Sequence, residues 1–225
     1  MSAVFVSATG TDVGKTLVTC GLIAHFRARG NVVEAIKPVL SGFDPAALAQ
    51  SDAAALLAAL GRPVTISEIE RISPWRFAAP LSPDMAGARE GRSIDFDAVS
   101  DFCAKAIAAR RGRLFIEGIG GVMVPLDARH TVLDLATELR LPLVLVAGSY
   151  VGTISHTLTA LQVLARRNIE IAAVVVSESQ GSAASLDETV ATIARFSDSI
   201  DVVGIPRLTD VASGHAAFAG IAELL

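Results

Sequence analysis

Residues 8–16 read Ala8-Thr9-Gly10-Thr11-Asp12-Val13-Gly14-Lys15-Thr16, and a short apolar run ends just before them. A stretch of small residues closing on Gly-Lys-Thr suits one chemistry above others, the gripping of phosphate oxygens. Backbone N–H groups of such a loop and of the helix that follows converge on the anion, and the helix N-terminus adds roughly half a positive charge. Lys15 supplies a full charge that reaches the β- and γ-phosphates, and Thr16 offers a hydroxyl to Mg2+. Gly14 lets the backbone approach the ligand closely. The strict pattern asks for glycine at position 9, where this chain has Thr9. An ordinary strand-to-helix turn that contains Gly-Lys-Thr is therefore the competing reading.

Three further places carry groups suited to the same chemistry. Glu117 stands at the end of the apolar run Leu114-Phe115-Ile116 and is followed by Gly118-Ile119-Gly120-Gly121. A carboxylate at the carboxyl end of a strand lies where α/β sheets bind ligands, and it can hold Mg2+ directly or through water. The alternative is a strand-terminal acid facing solvent. Lys37 ends a second apolar run and precedes Pro38-Val39-Leu40-Ser41-Gly42. A buried lysine there needs an anionic partner such as phosphate, whereas a lysine that snorkels to the surface needs none. Asp52 follows Ser51, which reads as a helix N-cap. Its carboxylate either favours the helix dipole or completes a magnesium set with Thr16 and Glu117, within the one or two carboxylates that ion usually accepts.

These groups need a scaffold, and the hydrophobic pattern supplies one. Strands are expected at 4–7, 32–37, 114–117, 144–147, 171–177 and 202–205. They are nearly continuous apolar runs, as in a parallel sheet covered on both faces. Helical patterns lie between them at 15–29, 52–60, 96–110, 132–139, 153–167 and 185–196. Alternating strands and helices predict an α/β fold: one doubly wound, mostly parallel sheet with helices on both faces, P-loop NTPase-like, in a single domain over 1–225. Residues 72–91, with Pro74, Pro80 and Pro83, break the rhythm and read as a long ordered loop over the sheet's edge.

Composition narrows the partners. The 225 residues are 52% hydrophobic with a net charge of −4, and both signs are dispersed along the chain. No basic block or stripe points to nucleic acid. No apolar run reaches the roughly 18–20 residues of a membrane span, and the N-terminus lacks the basic start of a signal peptide. A cytoplasmic, soluble protein is expected. Cys20 and Cys103 are far apart and read as reduced, buried thiols. His25, His130, His156 and His215 share no metal-ligand spacing.

Taken together, Thr11-Asp12-Val13-Gly14-Lys15-Thr16, Lys37-Pro38-Val39 with Ser41-Gly42, Ser51-Asp52-Ala53 and Glu117-Gly118 with Gly120-Gly121 resemble the dethiobiotin synthetases. The similarity continues through Phe77-Ala78, Pro80 and Ser82-Pro83, the Gly152, Ile154 and His156 turn, and Gly204-Ile205-Pro206, and so covers nearly the whole chain. It implies synthesis of dethiobiotin from 7,8-diaminononanoate, CO2 and ATP, with Mg2+, by a homodimer. It implies that Thr16, Asp52 and Glu117 hold the metal and that Lys37, with Lys15, is catalytic. ATP would be bound by Asp12, Val13, Gly14, Lys15, Thr16 and Leu17, with Asp52, Glu117, Gly118, Ile119 and Gly120. The adenine would be lined by Pro206, Arg207, Leu208 and Asp210. Thr11 and Ser41 would touch the diamine substrate, and Val151, Gly152, Thr153, Ile154 and Ser155 would bind its distal carboxylate from the neighbouring subunit.

The chain departs from the commoner family pattern at several points. Ala8 stands for Gly, Gly10 for Asp, Asp12 for Glu, Ser177-Glu178 for an adenine-reading Asn-Asp pair, Tyr150 for Lys and Ser155 for Asn. The rival reading is a ParA/MinD-like switch ATPase. Such proteins carry an extra lysine early in the loop, where this chain has Ala8, Thr9, Gly10 and Thr11.

Overall fold

The computed structural model describes residues 3–208 and 218–225. Its strands are β1 (Ala3–Ala8), β2 (Val33–Ile36), β3 (Val39–Ser41), β4 (Trp75–Phe77), β5 (Arg113–Glu117), β6 (Leu143–Gly148), β7 (Ile171–Ser177) and β8 (Val202–Ile205). Six of them form one sheet in the order β2-β5-β1-β6-β7-β8, every pairing parallel. The apolar runs explain this arrangement. All six residues of β1 and all six of β6 are buried, as strands covered on both faces must be. Each fully buried Val, Leu or Phe among them contributes roughly 1.5–3 kcal/mol, so the two central strands anchor the core.

The helices are α1 (Lys15–Ala28), α2 (Asp52–Ala59), α3 (Ile66–Ile72), α4 (Pro83–Arg89), α5 (Phe96–Ala109), α6 (Val132–Leu139), α7 (Thr153–Arg166), α8 (Leu186–Arg195) and α9 (Ala219–Glu223). The chain leaves β1 toward β2 on one side, then returns through β5 and steps outward past β1 to β6, β7 and β8. Right-handed crossovers in opposite directions put helices on opposite faces. Helix α1 has α2 and α9 against it, while α5 packs on α6 and α7 on α8.

The strand order reverses at β1, so a crevice opens at the carboxyl ends of β1, β5 and β2, the usual ligand position in such sheets. Register decides what meets there. Val6 of β1 lies level with Glu117 of β5, and Ile36 of β2 with Ile116. Lys37, the next residue after Ile36, therefore comes abreast of Glu117.

Residues 72–91 are not the long loop expected. Ile72 ends α3, Trp75–Phe77 forms β4, which pairs in parallel with β3, and Pro83 opens α4 at its first turn. Three-residue strands are too short to show a period. Pro83, read as a breaker, sits where a helix tolerates proline best. This β3–β4 pair holds Ser41 beside the crevice.

Candidate active site

Four side chains converge at the crevice from four elements. Lys37 Nζ donates to Glu117 Oε1 at 2.7 Å and lies 2.9 Å from Asp52 Oδ2. Thr16 Oγ1, in the first turn of α1, donates to the same Glu117 Oε1 at 2.8 Å. Lys37 is 2% exposed and Glu117 0%, so neither is the surface residue that the sequence left open. Asp52 opens α2, where the Ser51 hydroxyl accepts from the Ala54 amide at 3.2 Å. Its carboxylate thus sits at a helix N-terminus, as the dipole reading expected, and also faces Lys37, a contact the sequence did not suggest.

Burial alone would lower the Lys37 ammonium, but Glu117 and Asp52 outweigh it and hold the group above the usual lysine range. Burial would likewise raise Asp52, and Lys37 overrides it and keeps that carboxyl below 3.8. Lys15 differs. Burial and the neighbouring Lys37 charge lower its ammonium to about 8. Two lysines side by side, one neutralised by carboxylates and one depressed, leave a place for a further anion at Lys15.

The oxygens present suit a hard cation. Glu117 Oε2 is buried and has no hydrogen-bond partner, a condition that normally calls for an ion or water. Thr16, Asp52 and Glu117 together offer one hydroxyl and two carboxylates, the sparse oxygen set magnesium takes when phosphates complete its shell. Among the described residues no group of three or more His, Cys, Asp or Glu converges as a metal cluster, here or elsewhere.

The phosphate loop is shaped by two glycines. Gly14 caps α1 in the left-handed region, φ 95°, and α1 has neither a side-chain cap nor an acidic residue in its first turn. Its amides are therefore left for a ligand. Asp12 is also left-handed, φ 57°, a conformation aspartate tolerates better than most residues. Gly121, on the turn after β5, passes so close that a Cβ there would lie 3.1 Å from Gly10 N. A Cβ on Gly14 would lie 2.6 Å from Ser177 Oγ. Gly14→Ala should therefore destabilise the fold by about 1–3 kcal/mol through backbone strain, with Ser177 forced aside. Urea unfolding checks it, and an unchanged midpoint would contradict the close approach.

A cleft of about 880 Å3 runs over these groups, lined by Thr11, Asp12, Gly14, Lys15, Thr16 and Leu17 from the loop and α1, and by Lys37, Ser41, Asp52, Ile119 and Gly120. About half of the residues expected in the site thus meet in one place. The Ser41 hydroxyl is buried and unpartnered. Leu40, Gly42, Pro80, Leu81, Ser82 and Val124 complete the wall. Of these, Leu40 and Val124 had no chemical signal in the sequence, being apolar. A second hollow of about 260 Å3 adjoins it, lined by Asp12, Val13, Gly14, Leu17, Arg207 and Leu208 together with Ser177, Glu178 and Ser179. Glu178 Oε2 there accepts from the Arg207 amide at 2.8 Å.

Other expected residues stand apart. Gly118 is packed toward Phe5 and Val132 rather than into the cleft, and Pro206 lines neither hollow. Asp210 lies outside the described residues. The turn of Val151, Gly152, Thr153, Ile154 and Ser155 lines neither hollow within one chain. Val151 is 81% exposed. Gly152 caps α7 at φ 98°, and α7, like α1, has no side-chain cap and no acid in its first turn. Thr153 is buried and donates to the Gly148 carbonyl. Tyr150, at the position of a family lysine, has its hydroxyl 2.8 Å from His156 Nδ1. Cys20 and Cys103 are buried free thiols, each pushed up to about 12 by burial, and so unreactive.

A parallel sheet reversing at β1, with an uncapped Gly-Lys-Thr helix over its edge, makes this chain P-loop NTPase-like. Solved structures share that fold. The MinC:MinD cell division protein complex of Aquifex aeolicus gives a TM-score of 0.60 at 12% identity, covering 99% of this chain and 94% of that one. A ParA family ATPase from Chlorobium tepidum gives 0.54 at 16% identity, covering 97% and 92%. A family model described as an AAA domain matches residues 2–214. The ATP-dependent dethiobiotin synthetase BioD of Acidiphilium cryptum is 51% identical over 178 residues, 79% of this chain and 80% of its own length. That of Caulobacter sp. strain K31 is 50% identical over 208 residues, 92% and 89%. The chain belongs to the dethiobiotin synthetase family. Among the described residues no helix is long and apolar enough to cross a membrane.

Proposed function

We propose that this protein is an ATP-dependent cyclo-ligase that joins CO2 to 7,8-diaminononanoate and closes the ring of dethiobiotin, a step of biotin biosynthesis. The observation that carries the reading, beside family membership, is the Lys37–Glu117–Asp52–Thr16 cluster at the mouth of the Lys15 phosphate loop.

An amine must attack CO2 as the neutral base, yet an alkyl amine has a pKa near ~10 and is mostly protonated at neutral pH. Lys15 and Lys37 at the cleft lower that pKa by like-charge repulsion, then favour the carbamate anion that forms. The carbamate oxygen attacks the γ-phosphate of ATP and expels ADP, while Lys15 and the α1 amides hold the phosphates in line. The second amine displaces phosphate from the resulting carbamic-phosphoric anhydride and closes the cyclic urea. No covalent enzyme intermediate is required. Mg2+, held by Thr16, Asp52 and Glu117, would supply charge neutralisation on the phosphate oxygens. Asp12 to Leu17 would wrap the phosphates, with Gly118, Ile119 and Gly120 on the nucleotide's flank. Arg207 and Leu208, with Pro206 and Asp210 in the same segment, would line the base. Thr11 and Ser41 would meet the diamine.

The uncapped N-terminus of α7 suits a carboxylate for the same dipole reason that α1 suits phosphate. Because the turn 151–155 lies apart from the cleft, it would serve the partner's substrate in a homodimer. The working compartment would be the cytoplasm. Incubating the protein with the diamine, ATP, Mg2+ and isotopically labelled bicarbonate should place the label in the ureido carbonyl of dethiobiotin. Absence of labelled product from folded protein would refute the assignment.

The Lys15 shift gives a pH dependence. Phosphates favour the charged lysine, so nucleotide binding raises its pKa from about 8. Above that pH the complex must take up a proton, and affinity falls as pH rises toward the ordinary lysine value of 10.5. Calorimetry in two buffers of different ionisation heat should show the uptake in the wild type and lose it in Lys15→Met. Equal proton uptake in both proteins would contradict the role of Lys15.

A further inference from the structure

The oxygens assigned above to the metal are already engaged by a cation of the chain itself. Lys37 Nζ sits 2.7 Å from Glu117 Oε1 and 2.9 Å from Asp52 Oδ2. Glu117 Oε1 also accepts from Thr16, so that oxygen already serves two donors, while Oε2 has none. The need for an internal counter-ion follows from burial. Glu117 is fully buried, and burying a carboxylate without a positive partner is costly. A divalent cation would seek the same carboxylates at about 2.0–2.1 Å. An ammonium on both carboxylates and a divalent cation held by the same two residues would be close neighbours, and like charges at short range repel strongly in a partly buried site.

We propose that Lys37 is the resident counter-ion of the metal site, that its ammonium and the divalent cation compete for Asp52 and Glu117, and that metal entry turns the ammonium into the cleft. This rests on the metal assignment under the proposed function. Lys37 already lines the cleft, so release from one carboxylate suffices to present it to a bound anion. The exchange has a functional consequence. The lysine meets the substrate only after metal and nucleotide have arrived, so an unloaded site does not present its cation to the carbamate.

The test reads metal binding without nucleotide or turnover. Mn2+ is titrated into the nucleotide-free protein, with the free ion followed by electron paramagnetic resonance. Lys37→Met should bind Mn2+ at least about tenfold more tightly than wild type, as removal of a competing unit charge at ion-pair distance implies. Lys15→Met removes an equal charge beside the cluster without freeing a carboxylate, and should change affinity by less than about threefold on the same reasoning. Wild-type affinity in Lys37→Met, or the same gain in Lys15→Met, overturns the exchange. If Lys37→Met fails to fold in chelator, Mg2+ alone should restore its thermal transition while leaving wild type little changed. No restoration again overturns it. The metal assignment is checked separately with Asp52→Asn and a non-hydrolysable ATP analogue. Weakened Mn2+ binding there supports the site whatever Lys37 does. Unchanged binding rejects the site and the exchange together.

Discussion

Lys37→Ala should lower kcat by about 10²–10³-fold, the usual loss when one positioned charge-stabilising donor is removed, while the ATP Kd measured without divalent metal moves by less than about threefold. The asymmetry comes from position. Lys37 projects from the end of β2 onto Glu117 and Asp52, whereas the phosphate loop is built by β1, Gly14 and the α1 amides. On the proposed reaction Lys37 favours an anion formed from the diamine, so its charge matters when the carbamate forms and attacks. A contact made chiefly in the transition state lowers kcat and kcat/KM together. Steady-state kinetics beside a direct nucleotide-binding titration separates the two quantities. Turnover close to wild type would remove Lys37 from the chemistry. A parallel collapse of ATP affinity would make it a nucleotide-binding residue instead.

Glu117→Ala should destabilise the fold by about 3–5 kcal/mol, the usual penalty for removing one partner of a buried ion pair. Glu117 is fully buried, and Lys37 would be left with Asp52, whose side chain is 48% exposed. Thr16 would lose its acceptor as well. The double variant Glu117→Ala with Lys37→Met should lose less than the sum of the two single variants, because the stranded charge is gone. Urea unfolding of the four proteins gives the coupling directly. Strict additivity would show that the two side chains do not act on one another.

The sheet was legible because its strands are buried on both faces and written as continuous apolar runs. The six expected strands correspond to β1, β2, β5, β6, β7 and β8. The short pieces were not. β3 and β4 are three residues each, below the length at which a period appears, and proline at the start of α4 imitates a loop signal. The site was legible as residue types: Lys15, Thr16, Lys37, Asp52 and Glu117 each stood at an expected strand end or helix start. Their mutual contacts were not, because Lys37 and Glu117 are 80 residues apart in the chain. Only the parallel register of β2 on β5 puts them abreast. The approach of Ser177 to Gly14 was equally hidden, since it depends on where β7 ends relative to the loop. The turn 151–155 was read as a ligand site only through family resemblance. Its geometry adds an uncapped helix with a left-handed glycine, the same entry that α1 uses.

Phosphate release from ATP, measured with and without the diamine and bicarbonate together, tests the central claim most directly. If the loop and the Lys37 cluster serve phosphoryl transfer to a carbamate, release should be slow with ATP and Mg2+ alone. It should rise with both co-substrates, one phosphate appearing for each dethiobiotin formed. Release that proceeds at the same rate without the diamine would contradict the account and mark the protein as a nucleotide-driven switch.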